Sequence, residues 1–129
     1  MFPPQKVTVT CPQCRTPYVA EVHAIVDVEQ EPALKLELLR GRLNESVCPH
    51  CGGQNPMLAP LLYHDPSHDL LAAFLPPEMN LSEMQRQRII GDLTNRLLTQ
   101  IPPQERRGYL LQPRQFLTMQ SLSDAVLMA

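Results

Sequence analysis

The alternation of apolar and polar residues predicts two β-strands in the first quarter of the chain. Residues 6–10 alternate between apolar and polar side chains, and residues 18–28 carry apolar side chains at every even-numbered position. A period of two places successive side chains on opposite faces of a strand. We therefore predict a strand at 6–10 and one long antiparallel strand at 18–28, with one packed face and one face in water. His23 falls on the wetted face, where we expect it to be solvated.

A short helix is predicted between residues 32 and 41. Pro32 suits a first helical turn, and Gly41 can take the left-handed conformation that ends a helix. Leu34, Leu38 and Leu39 form its inner stripe. A helix this short is not stable alone in water, so it must pack on the sheet.

Two more strands are predicted at 56–63 and 70–75, joined by a turn at 64–69. Both segments are rich in apolar residues, and the turn contains the Asp-Pro pair typical of such connections. Pro60 indicates an edge position or a bulge, because proline cannot donate to a central ladder.

After the two prolines at 76 and 77 the apolar period becomes helical. Asn80 offers an N-cap with Glu83 three residues later, and the helix is predicted to run for about 20 residues to Pro102. Its apolar stripe consists of Ile89, Ile90, Leu93, Leu97, Leu98 and Ile101. Residues 104–107 predict a short helical turn, and residues 109–111 and 116–117 predict extended chain.

Thr118 is predicted to cap a last helix. Its apolar stripe runs to the final residues without a stop signal, which indicates either a longer natural chain or a helix completed by a partner. The 14 prolines favour short elements joined by stiff corners. The predicted fold class is α+β: a zinc-ribbon-like antiparallel β-sheet with a short inserted helix, followed by a helical C-terminal extension. We assign residues 1–77 to the ribbon-like domain and residues 78–129 to the extension, which packs on that domain or on a partner.

The 4 cysteines form two C-P-x-C hooks, and they are the strongest chemical signal in the chain. A hook can point both sulfurs to one side of a tight turn, with backbone N–H groups directed at them. Two hooks supply four thiolates, enough for a closed tetrahedral zinc site, and the predicted ligands are Cys11, Cys14, Cys48 and Cys51. Redox dithiols share this spacing, and iron shares these ligands, so both remain alternatives.

The residue after each hook is expected to have a positive φ. Gly52 suits this position in the second hook. Arg15 occupies it in the first, where a left-handed side-chain residue costs about 1 kcal/mol. His50, inside the second hook, could replace a cysteine as a ligand, although four cysteines already satisfy zinc.

A second candidate site lies in the turn at 64–69. His64, Asp65 and His68 could form a second metal site or an acid–base pair. The alternative is ordinary turn chemistry around Asp65 and the following proline. Arg106, Arg107 and the helix arginines could bind phosphate or an acidic partner, or could form a solvated, salt-bridged face.

Charge and the chain start bear on partners and compartment. The net charge is −2, and one zinc with four thiolates changes it to about −4, which does not favour nucleic acid. Residues 1–4 do not open a signal peptide, and no run of apolar residues is long enough to span a membrane. We expect a reducing, cytoplasmic location, in which paired C-x-x-C motifs indicate metal binding.

Over residues 5–117 the chain resembles the CpXC domain family, named for its two C-P-x-C motifs. The resemblance rests on both hooks, the segment 31–35, the Leu-Leu-Tyr-His-Asp stretch at 61–65 and the arginine-bearing helix that follows. It implies a bacterial metal-binding domain and adds little about the biochemical role. Arg15 departs from the glycine that is commoner in the family after the first hook.

Three functions follow as hypotheses. The first is a non-enzymatic module with one structural zinc, which binds a protein partner or forms a homo-oligomer through residues 81–129. The second is a thiol redox or metal-handling protein that uses the two hooks. The third is a nucleic-acid-binding zinc ribbon. Catalysis at the metal is not expected, because four cysteines leave no open coordination position.

Overall fold

The structure is a computed structural model that describes residues 2–57 and 59–129. The strands are β1 (Gln5–Thr10), β2 (Pro17–Val22), β3 (Ile25–Asp27), β4 (Glu45–Val47), β5 (Gln54–Pro56), β6 (Leu61–Asp65), β7 (Leu70–Phe74) and β8 (Arg114–Phe116). The helices are α1 (Pro32–Leu39), α2 (Glu83–Leu98) and α3 (Met119–Met128). This mixture of small sheets and helices confirms the predicted α+β class. Within the described residues, none of the helices has the length and apolar character that crossing a bilayer requires.

Two antiparallel hairpins form the ribbon-like part. β1 pairs with β2 from Gln5↔Val22 to Thr10↔Pro17, and β4 pairs with β5 from Glu45↔Pro56 to Val47↔Gln54. Each hairpin carries one cysteine hook in its turn. The strand β5 was not predicted, since its three residues include no apolar alternation.

The predicted single strand at 18–28 is wrong. The chain leaves β2 at Val22 and enters a different sheet at Ile25. Between them, Asn44 accepts from the N–H of His23 at 2.7 Å and donates to its carbonyl at 3.0 Å. An alternating sequence fits any strand with one apolar face, so it does not reveal that two halves have different partners. His23 is also less solvated than predicted, because its Nδ1 is buried without a hydrogen bond to the described residues.

The second sheet has four strands in the order β3-β6-β7-β8. β6 and β7 form an antiparallel hairpin, whereas β3 pairs with β6 and β8 pairs with β7 in parallel. This sheet is therefore mixed, a feature that the sequence did not predict. His64 and Asp65 belong to strand β6, and the predicted turn is confined to a short 3-10 helix at Pro66–His68 and the left-handed residue Asp69.

Helices cover both faces of the four-stranded sheet. On one face, Ile90, Leu93 and Leu97 of α2 pack with buried residues of the two central strands such as Leu62 and Leu71. On the other face, α1 and α3 contribute Leu38, Leu122 and Val126 to a core that includes Leu61, Tyr63 and Ala72. All residues of β6 and β7 are buried. Residues 78–129 thus supply an edge strand of this sheet and one helix to each of its two cores.

Local capping agrees with the sequence analysis in most details. The side chain of Thr118 accepts from the N–H of Ser121 and begins α3, as predicted. Helix α2 begins two residues later than predicted, because Ser82 and Gln85 form a reciprocal capping box. Residues 108–111 form a 3-10 turn rather than extended chain, with Leu110 buried in the core below α2.

Candidate metal centre

The two hooks have the same backbone hydrogen bonds. In the first, the N–H of Arg15 donates to the carbonyl of Cys11 at 2.8 Å. In the second, the N–H of Gly52 donates to the carbonyl of Cys48 at 2.9 Å. The residue after each hook has the predicted positive φ, 61° at Arg15 and 73° at Gly52. Each hairpin turn therefore folds into the same shape and places two sulfurs on one side.

The four sulfurs converge between the hairpins. The Sγ atoms of Cys11 and Cys51 are 3.6 Å apart, those of Cys14 and Cys48 are 3.5 Å apart, and all four lie within 4.8 Å of one another. Zinc–sulfur bonds of about 2.3 Å place tetrahedral sulfurs roughly 3.8 Å apart, whereas a disulfide needs about 2.05 Å. The spacing thus fits a metal ion at the centre, and all four cysteines are free.

Neighbouring hydrogen-bond donors shift the pKa values of the cysteine thiols by different amounts. The backbone N–H of Cys14, helped by that of Gln13, lowers the pKa of Cys11 to about 6 against the effect of burial. The hydroxyl and N–H of Thr16 lower the pKa of Cys14. The N–H of Gly53 acts in the same direction on Cys51, but the neighbouring sulfurs and burial outweigh it and raise the pKa of Cys51 to about 12. Four thiolates this close need a cation, so metal binding will release protons.

A buried polar network supports the first hook. The amide Nδ2 of Asn55 donates to Sγ of Cys11 at 3.7 Å and to the hydroxyl of Tyr18 at 2.9 Å. The Tyr18 hydroxyl also lies 2.7 Å from Oγ of Ser46. These residues join both hairpins behind the sulfurs. Sequence reasoning missed all three, because nothing in their spacing distinguishes them from other strand residues.

The site is covered on one side and open on the other. Cys11 and Cys48 are 0% and 1% exposed and pack with Ala20 and Tyr18. Cys14 is half-buried and Cys51 is exposed. A metal site needs at least three His, Cys, Asp or Glu side chains whose ligand atoms lie close together. Among residues 2–57 and 59–129, the four cysteines meet this condition. The exposed His50 is not part of that group.

The second predicted group is divided between two sides of strand β6. Asp65 contacts His68 at 2.8 Å and Lys35 at 4.0 Å. His64 instead contacts Asp27 and Tyr109. Successive strand residues face opposite sides, so the structure does not bring His64 to the other two. Asp27 and Tyr109 are distant from His64 in the sequence, and no local pattern signals that they meet it.

Comparison with known proteins supports the assignment suggested by the hooks. The family model described as "CpXC protein" matches residues 9–129, which include both hooks, the four-stranded sheet and all three helices. No curated protein and no solved structure matches the chain. Because the match extends over most of the sequence, the chain belongs to the CpXC family.

Proposed function

We propose that the chain is a non-enzymatic zinc-binding module, in which a structural Cys₄ site joins two hairpins and residues 81–129 dock a protein partner or a second copy. The observation that carries the first part is the convergence of four sulfurs from two separate hairpins within 4.8 Å. Two-stranded hairpins are at best marginally stable in water. An ion bound by both hooks therefore supplies a link that their few strand residues do not.

The ligand set favours zinc and a structural role. Zinc accepts four thiolates in a tetrahedron, and four protein ligands leave no position for a substrate or water. Cys11 and Cys48 are buried, and the Asn55 amide that donates to Cys11 is the kind of supporting group that orients a metal ligand. Iron also binds four thiolates, so the identity of the metal is decided by elemental analysis. Two paired C-x-x-C motifs that converge on a metal site favour a reducing, cytoplasmic compartment.

Exposed apolar side chains in the C-terminal region support the docking part of the proposal. Leu111, Leu117, Leu127 and Met128 are 79%, 50%, 66% and 87% exposed. Others on the same segment, such as Leu110 and Leu122, are fully buried in the two cores. The segment thus stabilises the domain with one set of leucines and presents another set to solvent, where a partner can cover it.

Metal content per chain and native thiol titration test the zinc part. We expect one tightly held zinc, no iron and no rapidly reacting thiol, and chelation should release reactive thiols. Protein with substoichiometric metal and two or four reactive thiols would contradict it. Size-exclusion chromatography with light scattering tests self-association, with Leu127→Ser as the variant and Leu36→Ser, exposed on α1 outside residues 81–129, as the control. A dimer that only the first variant dissociates supports docking through this segment.

The exposure of one hook sulfur favours a second candidate, a thiol redox or metal-handling role. Cys51 is exposed and lies 3.6 Å from Cys11 of the other hook. Oxidation between these two cysteines would join the hairpins covalently after the metal leaves. This candidate predicts that mild oxidation releases the metal and forms a Cys11–Cys51 disulfide that thiol reductants reverse. Retention of the full metal content under those conditions would exclude it.

A further inference from the structure

Asp27, His64 and Tyr109 form a row of polar side chains that the proposed zinc module does not use. Nε2 of His64 lies 2.7 Å from the Tyr109 hydroxyl, and Nδ1 lies 3.5 Å from Oδ2 of Asp27. The rings of His64 and Tyr109 stack with 5.7 Å between centroids and a 20° interplanar angle. The three residues come from the ends of β3 and β6 and from the 3-10 turn at 108–111, so only the folded chain assembles them.

Two members of the row, Asp27 and His64, are almost completely buried. The side chains of Asp27 and His64 are 7% and 4% exposed. Burial alone would raise the pKa of Asp27, but His64 and the N–H groups of Glu29 and Gln30 outweigh it and hold the pKa below its ordinary value. At 3.5 Å, Nδ1 of His64 is within ion-pair distance of the Asp27 carboxylate but makes no hydrogen bond of good geometry with it.

The Tyr109 hydroxyl lies at one end of this row. Nε2 of His64 and the Tyr109 hydroxyl share one hydrogen bond of 2.7 Å, in which either atom can be the donor. In either case the Tyr109 oxygen keeps a lone pair for another donor. Nδ1 of His64 is buried and makes no hydrogen bond of good geometry with the described residues, so the row is not a fully satisfied structural network.

The row forms one wall of a cleft of about 390 Å³. This volume falls within the range of small-molecule sites. The other lining residues include the acidic Glu29 and Glu105, the apolar Ile101 and Pro66, and three glutamines, Gln30, Gln100 and Gln104. Its one lining arginine, Arg107, contacts the carboxylate of Asp69 at 3.4 Å. The lining therefore has three acidic residues, Asp27, Glu29 and Glu105, and one arginine whose charge is shared with Asp69.

We propose that this cleft binds a small organic cation, a protonated alkyl amine, through the Tyr109 oxygen and the carboxylates beside it. An ammonium group offers three donors, which match a phenolic oxygen and carboxylate acceptors. The methylene groups of such a ligand can pack on Ile101 and Pro66. A phosphate or carboxylate ligand would instead face Asp27, Glu29 and Glu105 with like charge.

The test uses 1,4-diaminobutane as the probe on the metal-loaded full chain. Calorimetric titration and amide NMR at constant ionic strength should show saturable binding, with shifts at Glu29, Gln30 and Arg107. Tyr109→Phe removes one oxygen and keeps the stacked ring, and we expect it to weaken binding roughly tenfold or more, as for a hydrogen bond to a charged group.

Tyr63→Phe is the matched control. It removes the same hydroxyl from the residue next to His64, but Tyr63 lies in the core on the other face of the sheet, and its hydroxyl has no hydrogen-bond partner among the described residues. We expect unchanged affinity. Glu105→Gln is a second test on an exposed residue, where loss of folding is not expected, and it should also weaken binding.

Four results would overturn the proposal. They are the absence of saturable diamine binding, tighter binding of inorganic phosphate or acetate than of the diamine, unchanged affinity in both Tyr109→Phe and Glu105→Gln, and equal weakening by Tyr63→Phe. Weakening by Tyr109→Phe and Glu105→Gln with unchanged affinity in Tyr63→Phe would support it.

Discussion

Replacing Asn55 with alanine removes the link between Cys11 and Tyr18 inside the ribbon. The Asn55 side chain donates one hydrogen bond to the sulfur at 3.7 Å and one to the tyrosine hydroxyl at 2.9 Å. Asn55 is only 8% exposed, so water does not readily replace the lost donors. Tyr18 keeps its contact with Ser46 at 2.7 Å, so its hydroxyl is not left unpaired.

The expected cost follows from the charge of the two acceptors. A neutral hydrogen bond contributes about 0.5–1.5 kcal/mol and one to a charged group about 1.5–3 kcal/mol. With a metal-bound thiolate at Cys11, Asn55→Ala should therefore lower the free energy of unfolding by about 2–4 kcal/mol. The share of this free energy that comes from the hydrogen bond to the thiolate corresponds to a loss in metal affinity of about 10- to 100-fold. That is the range expected for groups that support metal ligands.

Chelator competition measures the metal affinity, and urea denaturation of the metal-loaded protein measures stability. Gln54→Ala is the control, because Gln54 is the exposed preceding residue of the same strand and is expected to change stability by no more than about 0.5 kcal/mol. Metal affinity within about twofold of the parent in a folded Asn55→Ala protein would refute the reasoning. Equal effects of the two variants would refute it as well.

Three further predictions concern the two cores and the acid limit of stability. When a chelator removes the metal, hydrogen-exchange NMR should show faster amide exchange in the four hairpin strands. The amides of β6 and β7 should stay protected, because helices and not the ion cover the second sheet. Leu97→Ala should cost about 2–5 kcal/mol in urea denaturation, since Leu97 is 0% exposed, while Met84→Ala at 73% exposure should stay within about 0.5 kcal/mol. Although burial opposes it, contacts with Ser67 and His68 hold the pKa of Asp65 below its ordinary value. Its stabilisation is therefore complete above about pH 4 and is lost as pH falls through the lowered value, so Asp65→Asn should flatten the acid limb of a stability–pH curve.

Local patterns in the sequence were enough to predict most elements near the metal centre. The spacing of the two hooks predicted convergent thiolates, and the positive φ after each hook was predicted for Arg15 and Gly52 alike. Helix α1 and the cap of α3 at Thr118 were predicted from a terminal proline, a glycine and a hydroxyl side chain. The turns and caps depend on backbone geometry over a few adjacent residues, whereas the convergence of the two hooks was predicted from the four ligands that a tetrahedral metal site needs.

Long-range pairing could not be predicted in the same way. The alternating segment at 18–28 shows one continuous pattern, yet its halves join different sheets, and β3 and β8 add parallel edges to a hairpin. The segments at 109–111 and 80–83 were also misjudged in detail, because Leu110 packs into the core and Ser82 rather than Asn80 caps α2. Which partner a strand takes depends on the total apolar surface that the whole chain buries.

The sequence by itself predicted the two cysteine hooks as one cluster and the α+β composition, and the hooks suggested the family. Only the tertiary structure decided that Asn55 supports Cys11 and that Asp27, His64 and Tyr109 meet at one cleft. The physical reason is how far apart in the sequence the interacting residues lie. Turn and cap chemistry acts between neighbours along the chain, whereas the second group depends on contacts across many residues, 44 positions between Cys11 and Asn55 and 45 between His64 and Tyr109.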